Sequence, residues 1–322
     1  MKKRALILAG AVAGALVMTA VLINDLTSVE TKKTIRVASY NVQFLPGIAM
    51  AVNKRPHAGH RADRIAEAMS RFDIVGLQET FFEKYRYRIV EGVRNAWGGM
   101  GKAVIAPRPK GFYTNGGCLL LTQLPVIKTG TMVFKHFSKP MEYGFLADGF
   151  AAKGVVHTRL ARSADRLDDF IDVFVTHLEA CAGGKVRVHQ YQEMAEFIRE
   201  HSDPGKPCIL MGDLNTGGAP NERRDPESLY SRMMAQLNRA RPRGGMTDLW
   251  PALMGDAIGA TDNQTTTESG SRIDYVLIGN PGDGLPQLKP VAIEVNPYLD
   301  PKSGALSDHS AVEAELEWVS GE

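Results

Sequence analysis

Cys208-Ile209-Leu210-Met211-Gly212-Asp213-Leu214-Asn215 sets a short apolar run directly against two polar residues. Such a run reads as a strand buried on both faces, here Cys208–Met211, ending at Gly212-Asp213. Loops at strand ends are where a rigid scaffold presents functional groups. The same arrangement recurs on either side. Ile35–Tyr40 reads as a strand ending at Asn41, and Ile74–Leu77 as one ending at Gln78-Glu79. Phe170–Thr176 alternates Ile171, Val173 and Val175, then stops at His177. Cys118–Thr122 and Ile273–Ile278 are further strands. Between them, Arg61–Phe72 predicts a helix with Ile65, Met69 and Phe72 on one face, and His189–His201 another with Met194, Phe197 and Ile198 inward. Asp225-Pro226 predicts a helix start, with Asp225 as N-cap and a proline in the first turn. Ala311–Trp318 closes the series. Val312, Ala314, Leu316 and Trp318 are expected inward, and Glu313, Glu315 and Glu317 toward water.

The chain has 322 residues, 44% apolar and 23% charged, which suits one large α/β domain. Net charge is +2 and the pI near 8.3. Nucleic-acid binders usually exceed a pI of about 9 with clustered Lys/Arg, so the bulk charge demands no polyanionic partner. Three cysteines without a Cys-x-x-Cys pair make no disulfide framework and argue against structural zinc. Cys118 and Cys208 are expected in the core, and Cys181 in a Gly-rich loop.

Lys2, Lys3 and Arg4 precede an uncharged run from Ala5 to Ile23. That run exceeds the apolar stretch of a typical signal peptide and approaches the ~20 residues of a bilayer span. Residues 1–29 are therefore expected to be a membrane anchor, or a signal peptide cleaved after a small residue such as Ala20. The basic flank stays in the cytoplasm and sends residues 30–322, the working domain, outside it.

The strand-end residues combine into one chemistry. Glu79, Asp213, Asp274 and Asp308 are carboxylates, and Asn41 and Asn215 carboxamides. Oxygen donors suit Mg²⁺ or a similar cation such as Mn²⁺. His177 and His309 titrate near neutral pH. A hard cation beside a histidine that acts on water is equipment for cleaving a phosphate ester. Asp274 lies among Ile273, Tyr275 and Val276, where an unpaired carboxylate is costly, so it needs a partner; His309 is the natural one.

Ser39-Tyr40-Asn41, Gln78-Glu79, Thr176-His177, Gly212-Asp213-Leu214-Asn215, Ile273-Asp274-Tyr275-Val276 and Ser307-Asp308-His309, in that order, resemble the endonuclease/exonuclease/phosphatase superfamily typified by deoxyribonuclease I. The resemblance covers about residues 35–318. It implies a four-layer α/β sandwich, two packed mixed β-sheets flanked by helices. It implies that Glu79 binds the metal with Asn41 beside it, that His177 and Asn215 hold the phosphate, and that Asp213 positions or activates water. It also implies that His309 is the general base, oriented by Asp274, although the sequence leaves open which of His309 and Asp213 takes the proton, and that Asp308 touches the metal or supports the phosphate site.

Asn115-Gly116-Gly117 before Cys118, Lys153-Gly154 after Asp148, and Asn41-Val42-Gln43-Phe44-Leu45-Pro46 are similar to bacterial sphingomyelinases, which implies hydrolysis of a phospholipid. Ala152 departs from the asparagine usual in that branch. Lys153 is either a cation near the phosphate or a solvated strand-edge lysine. Asn115 is either a substrate contact or a turn residue. Phe112 and Tyr113 either line the entrance or pack in the core. A nucleic-acid substrate is the rival. Arg223, Arg224, Arg232, Arg239, Arg241 and Arg243 could track a phosphate backbone, meet anionic lipid, or form a solvated helix face. A catalytically inactive binding module is the non-enzymatic alternative; the complete set of carboxylates and histidines argues against it.

Overall fold

Apolar side chains leave Thr34–Phe44 (β1) on both faces, and both sets are buried. Ile35 and Val37 join one apolar cluster; Ala38, Tyr40, Val42 and Phe44 join another. A strand with two buried faces belongs inside a layered structure. The structure, a computed structural model, describes residues 33–46, 55–143, 148–181, 183–262 and 270–319. The expected N-terminal anchor or signal segment lies outside the described residues. Among these, no helix is long and apolar enough to cross a membrane.

The first sheet has the spatial order Gln287–Asn296 (β11), Ala311–Val319 (β14), β1, Ile74–Thr80 (β2), Leu119–Thr122 (β4), Lys102–Ile105 (β3). Its β1–β2 pair is parallel and the rest antiparallel. The second has the order Val126–Val133 (β5), Gly154–Ala161 (β6), Phe170–His177 (β7), Cys208–Asp213 (β8), Asp274–Gly279 (β10), Thr247–Asp248 (β9). Here β7–β8 is the parallel pair. Leu299–Asp300 (β12) and Gly304–Ala305 (β13) form a small ribbon.

Three apolar layers hold the stack together. Val37, Ile74 and Leu120 of the first sheet meet Val175, Met211 and Val276 of the second. Helices Ala58–Met69 (α1) and Glu83–Ala96 (α2) cover the first sheet, with Ile65, Met69, Ile89 and Val93 against Ala38, Tyr40 and Leu77. Helices Gly183–His201 (α3) and Leu229–Ala240 (α4) cover the second, with Met194, Ile198, Met233 and Leu237 against Phe174, Leu210 and Leu277. The expected helix–sheet–sheet–helix sandwich is observed, and Cys118 and Cys208 lie in its core.

Several local expectations are corrected. Asn41 is inside β1, which runs to Phe44 through a register shift between Asn41 and Phe44. Helix α3 starts at Gly183, because tertiary packing overrides low glycine propensity. A Cβ on Gly184 would lie 2.7 Å from Leu229, so glycine permits the approach of α3 to the start of α4. Asp225 is not the cap of α4. Ser228 is, its side chain accepting from the Ser231 N–H, while Asp225 ends the short helix Pro220–Arg224. Glu313 does not face water. It is 4% exposed and accepts from Arg71 and Tyr298, which replace the solvent that alternation assigned to it.

The sheets approach closely at Gly76, where a Cβ would lie 2.7 Å from Met211 Sδ and 2.9 Å from Val175 Cγ2. Gly76→Ala is expected to overpack this layer and lower unfolding free energy by about 1–3 kcal/mol in urea denaturation. Unchanged stability would contradict face-to-face packing at this point.

Candidate active site

Side chains two residues apart along a strand share a face. Val37 packs between the sheets, so Asn41 lies on the same inner face of β1. By the same step, Val175 leads to His177 on β7, Met211 to Asp213 on β8, and Val276 to Asp274 on β10. Each strand is apolar along this face and turns polar at one edge of the sandwich. Pairing brings the residues abreast: Asp213 stands opposite His177 on one side and Asp274 on the other. His177, Asp213 and Asp274 are all nearly inaccessible to solvent.

His309 precedes β14 and completes the cluster. Its Nδ1 donates to Asp274 Oδ2 at 2.8 Å, because an ionised carboxylate can only accept. Thr261 Oγ1 fixes this partner by accepting from the Ile273 and Asp274 N–H groups, both at 3.1 Å. The Thr261 carbonyl accepts from Ser310, next to His309, at 2.8 Å. Asn41 Nδ2 donates to Asp213 Oδ2 at 3.0 Å and lies 3.5 Å from His309 Nε2. Burial works against a charged His309. The Asp274 carboxylate, helped by Asp213 and Asp308, outweighs it and holds the imidazole well above its ordinary range. Burial and the charge of Asp274 push Asp213 up.

Lys153 is not a solvated strand-edge residue. It is 5% exposed, and its Nζ donates to Asp148 Oδ2 at 2.6 Å and the Leu178 carbonyl at 2.9 Å. The same Nζ is 3.1 Å from His177 Nε2. An ammonium only donates, so Nε2 accepts and Nδ1 carries the proton. That Nδ1 is buried without a hydrogen-bond partner among the described residues. Burial, then the neighbouring ammonium, lower His177 to about 3, so its ring is neutral. Burial opposes ionisation of Asp148, but the Lys153 ammonium holds it at about 2. Asn215 donates from Nδ2 to the Leu178 carbonyl at 3.1 Å, and its N–H donates to Asp213 Oδ1 at 3.0 Å. Asn115 Oδ1 accepts from the Gly117 N–H at 3.0 Å, which is the turn role.

Glu79 follows Leu77 on β2, a face that packs on helices, yet it interacts with Asn41, Asp308, His309 and Lys153. Its backbone explains the redirection: φ is 56°, in the left-handed region. Gln43, Glu79 and Asn215 are three of the five non-glycine residues in that region among those described. Such strain concentrates at functional sites. Burial and the Asp308 charge push Glu79 up to about 7. Asp308 accepts from Ser307 Oγ at 3.1 Å and from Gln43 Nε2. Two carboxylates crowded beside a carboxamide fit a hard divalent cation, which would relieve their repulsion. Asp213, Asp274 and His309 also bring ligand-type atoms within 4.8 Å of one another. Asp148, Glu179 and Cys181 do the same, but Lys153 already supplies the positive charge to Asp148 there.

Sequence reasoning assigned no role to Gln43, Arg55, Asp148, Glu179 or Thr261. Some of their partners lie far along the chain, as Asp308 does from Gln43 and Ser138 from Glu179. Phe112 and Tyr113 are not core. Phe112 packs edge-on to Phe137, and Tyr113 is 64% exposed beside Phe81, Tyr87, Lys84 and Arg108 in an open surface cavity. The basic stretch is largely engaged: Arg223 and Arg224 pair with Asp256, Arg232 with Glu227, and Arg241 is buried against the Asp203 and Lys206 carbonyls.

The Endonuclease/Exonuclease/phosphatase family model matches residues 38–309, from β1 to the candidate base. Sphingomyelinase C of Bacillus cereus is 26% identical over 251 residues, 70% of each chain. Among solved structures, a mutant beta toxin from Staphylococcus aureus with bound magnesium ions has a TM-score of 0.61 at 17% identity, covering 87% of this chain and 98% of that one. TDP2 from D. rerio, complexed with a single-strand DNA product, has a TM-score of 0.60 at 14% identity, covering 89% of this chain and 100% of that one. At these identities the structural likeness establishes the fold. The family match, which includes every strand-end residue from Asn41 to His309, places this chain in the Endonuclease/Exonuclease/phosphatase family of phosphoric-ester hydrolases.

Proposed function

We propose that this protein hydrolyses a phosphodiester in a phospholipid of the sphingomyelin type, by metal-assisted attack of water with His309 as general base. The observation carrying this reading is the buried Asp274–His309 pair at 2.8 Å, set against the Asn41–Asp213 pair on one side of a site and Lys153–His177 on the other. Glu79, Asn41 and Asp308 would hold Mg²⁺ or Mn²⁺. When bound, the cation draws negative charge from the phosphoryl oxygens. Lys153 supplies a fixed positive charge near the phosphate, and Asp148 holds it in place. Neutral His177 offers its Nδ1–H, and Asn215 with the Asn115 turn shapes the wall. Asp213, oriented by Asn41, positions the attacking water. His309 Nε2 takes its proton while Asp274 keeps the ring in the required tautomer. A new P–O bond forms as the bond to the lipid breaks; the departing oxygen takes a proton from solvent to become the alcohol, and His309 returns its proton to solvent.

The lipid preference is supported by similarity to sphingomyelinase C and by the placement of Lys153 in the cluster. The acidic partners of Arg223, Arg224 and Arg232 weigh against a dedicated nucleic-acid track. An extracytoplasmic location, with the N-terminal segment at a membrane, is supported by Lys2-Lys3-Arg4 and the apolar run to Ile23.

Sphingomyelin, phosphatidylcholine and plasmid DNA should be compared side by side. Release of a phosphorylated head group from lipid is expected; DNA nicking without lipid turnover would reverse the substrate assignment. His309→Ala and Asp213→Ala should each lower kcat/KM at least ~10²-fold. Near-native turnover in either removes that residue from the mechanism. A base must be neutral, so activity falls as pH drops below the His309 pKa. Asp274 raises that pKa, so Asp274→Asn should move the acidic limb to lower pH while the plateau falls. A limb that moves upward would contradict the pairing.

A further inference from the structure

Gln43 takes no part in the chemistry described above, yet it touches two of the proposed ion-binding residues. It sits where β1 loses register with β2, and its φ is 49°. Its N–H donates to Asn41 Oδ1 at 3.2 Å, which leaves Asn41 Nδ2 to face Asp213. Its side-chain amide spans Arg55 and Asp308. Arg55 Nε donates to Gln43 Oε1 at 2.6 Å, and Gln43 Nε2 donates to Asp308 Oδ2. Arg55 is itself anchored by a 2.9 Å bond to the Ala305 carbonyl on β13.

The orientation of this amide is determined. A guanidinium has no acceptor, so the oxygen of Gln43 must face Arg55 and the nitrogen must face Asp308. Bonded on both sides, the amide holds the Asp308 carboxylate in one orientation. Partners that orient a ligand in this way commonly matter nearly as much as the ligand.

We propose that Gln43, locked by Arg55, is a positioning residue that presets Asn41 and Asp308 for a divalent cation. This rests on the reading that Glu79, Asn41 and Asp308 hold that ion. Left-handed backbone at Gln43 is consistent with a residue kept for its side chain, since glycine would suit that conformation better.

The test is Mg²⁺ binding by calorimetry and Mg²⁺-dependent thermal unfolding of the full chain, wild type beside Gln43→Met. Methionine keeps the length and the backbone preference of a side-chain-bearing residue but removes both amide bonds. Mg²⁺ is expected to bind Gln43→Met about 10-fold or more weakly, with a smaller Mg²⁺-induced rise in Tm. The Tm without Mg²⁺ should stay close to wild type, which a merely structural role does not explain alongside lost affinity. Arg55→Met removes the lock on Gln43 together with the bond to Ala305, and should shift affinity the same way by a smaller factor; it carries the test should Gln43→Met not fold. Wild-type affinity in folded Gln43→Met, or in Arg55→Met where Gln43→Met does not fold, would overturn the proposal. Absence of Mg²⁺ binding by the wild type would instead sink the ion reading, and this proposal with it.

Discussion

Face-to-face packing of the two sheets is the constraint on which the rest depends. Val37, Val175, Met211 and Val276 fill the layer between them, and the close approach at Gly76 leaves no space for a further side chain. Because side chains alternate, the same inner face of each strand carries its apolar core residues and then Asn41, His177, Asp213 or Asp274. The polar cluster is thus an extension of the core. Its members hold position because the strands beneath them cannot slide without moving every apolar residue to the wrong face.

Placing these groups in a dry layer creates an electrostatic problem that the surroundings solve unevenly. Lys153 is balanced by Asp148, and Asp274 is balanced by His309. Asp213, Asp308 and Glu79 are left crowded, with Asp213 and Glu79 pushed up by burial and neighbouring carboxylates. Like charges crowded in a buried site repel one another, so such a cluster suits a cation. The same imbalance divides the two histidines. His177, beside an ammonium, is held neutral, whereas His309, beside carboxylates, is held readily protonated. Two imidazoles a few ångströms from Asp213 thereby acquire different capacities: one to donate a fixed hydrogen bond, one to exchange a proton.

Much of this was legible in the sequence because strands carry their signal locally. Cys208–Met211 and Phe170–Thr176 mark their own burial, and the polar residue that follows each run marks the site edge. The Asp274–His309 partnership was legible for a physical reason, since a carboxylate among Ile273, Tyr275 and Val276 needs a counterpart. What escaped detection depends on distant contacts. The start of α3 is set by the fit of Gly184 to Leu229, and the burial of Glu313 by Arg71 and Tyr298. Lys153 could be read two ways until Asp148 and Leu178 closed around it. The left-handed turn at Glu79, which aims its carboxylate into the site, has no signature in Leu77-Gln78-Glu79-Thr80.

The central claim is that this cluster cleaves a phosphate diester with the help of a divalent ion. The most direct measurement is turnover of a simple chromogenic diester, such as bis(p-nitrophenyl) phosphate, by the purified chain before and after chelation. Turnover should vanish in EDTA and return on adding excess Mg²⁺. Full turnover in EDTA would contradict the account, whatever the natural substrate proves to be.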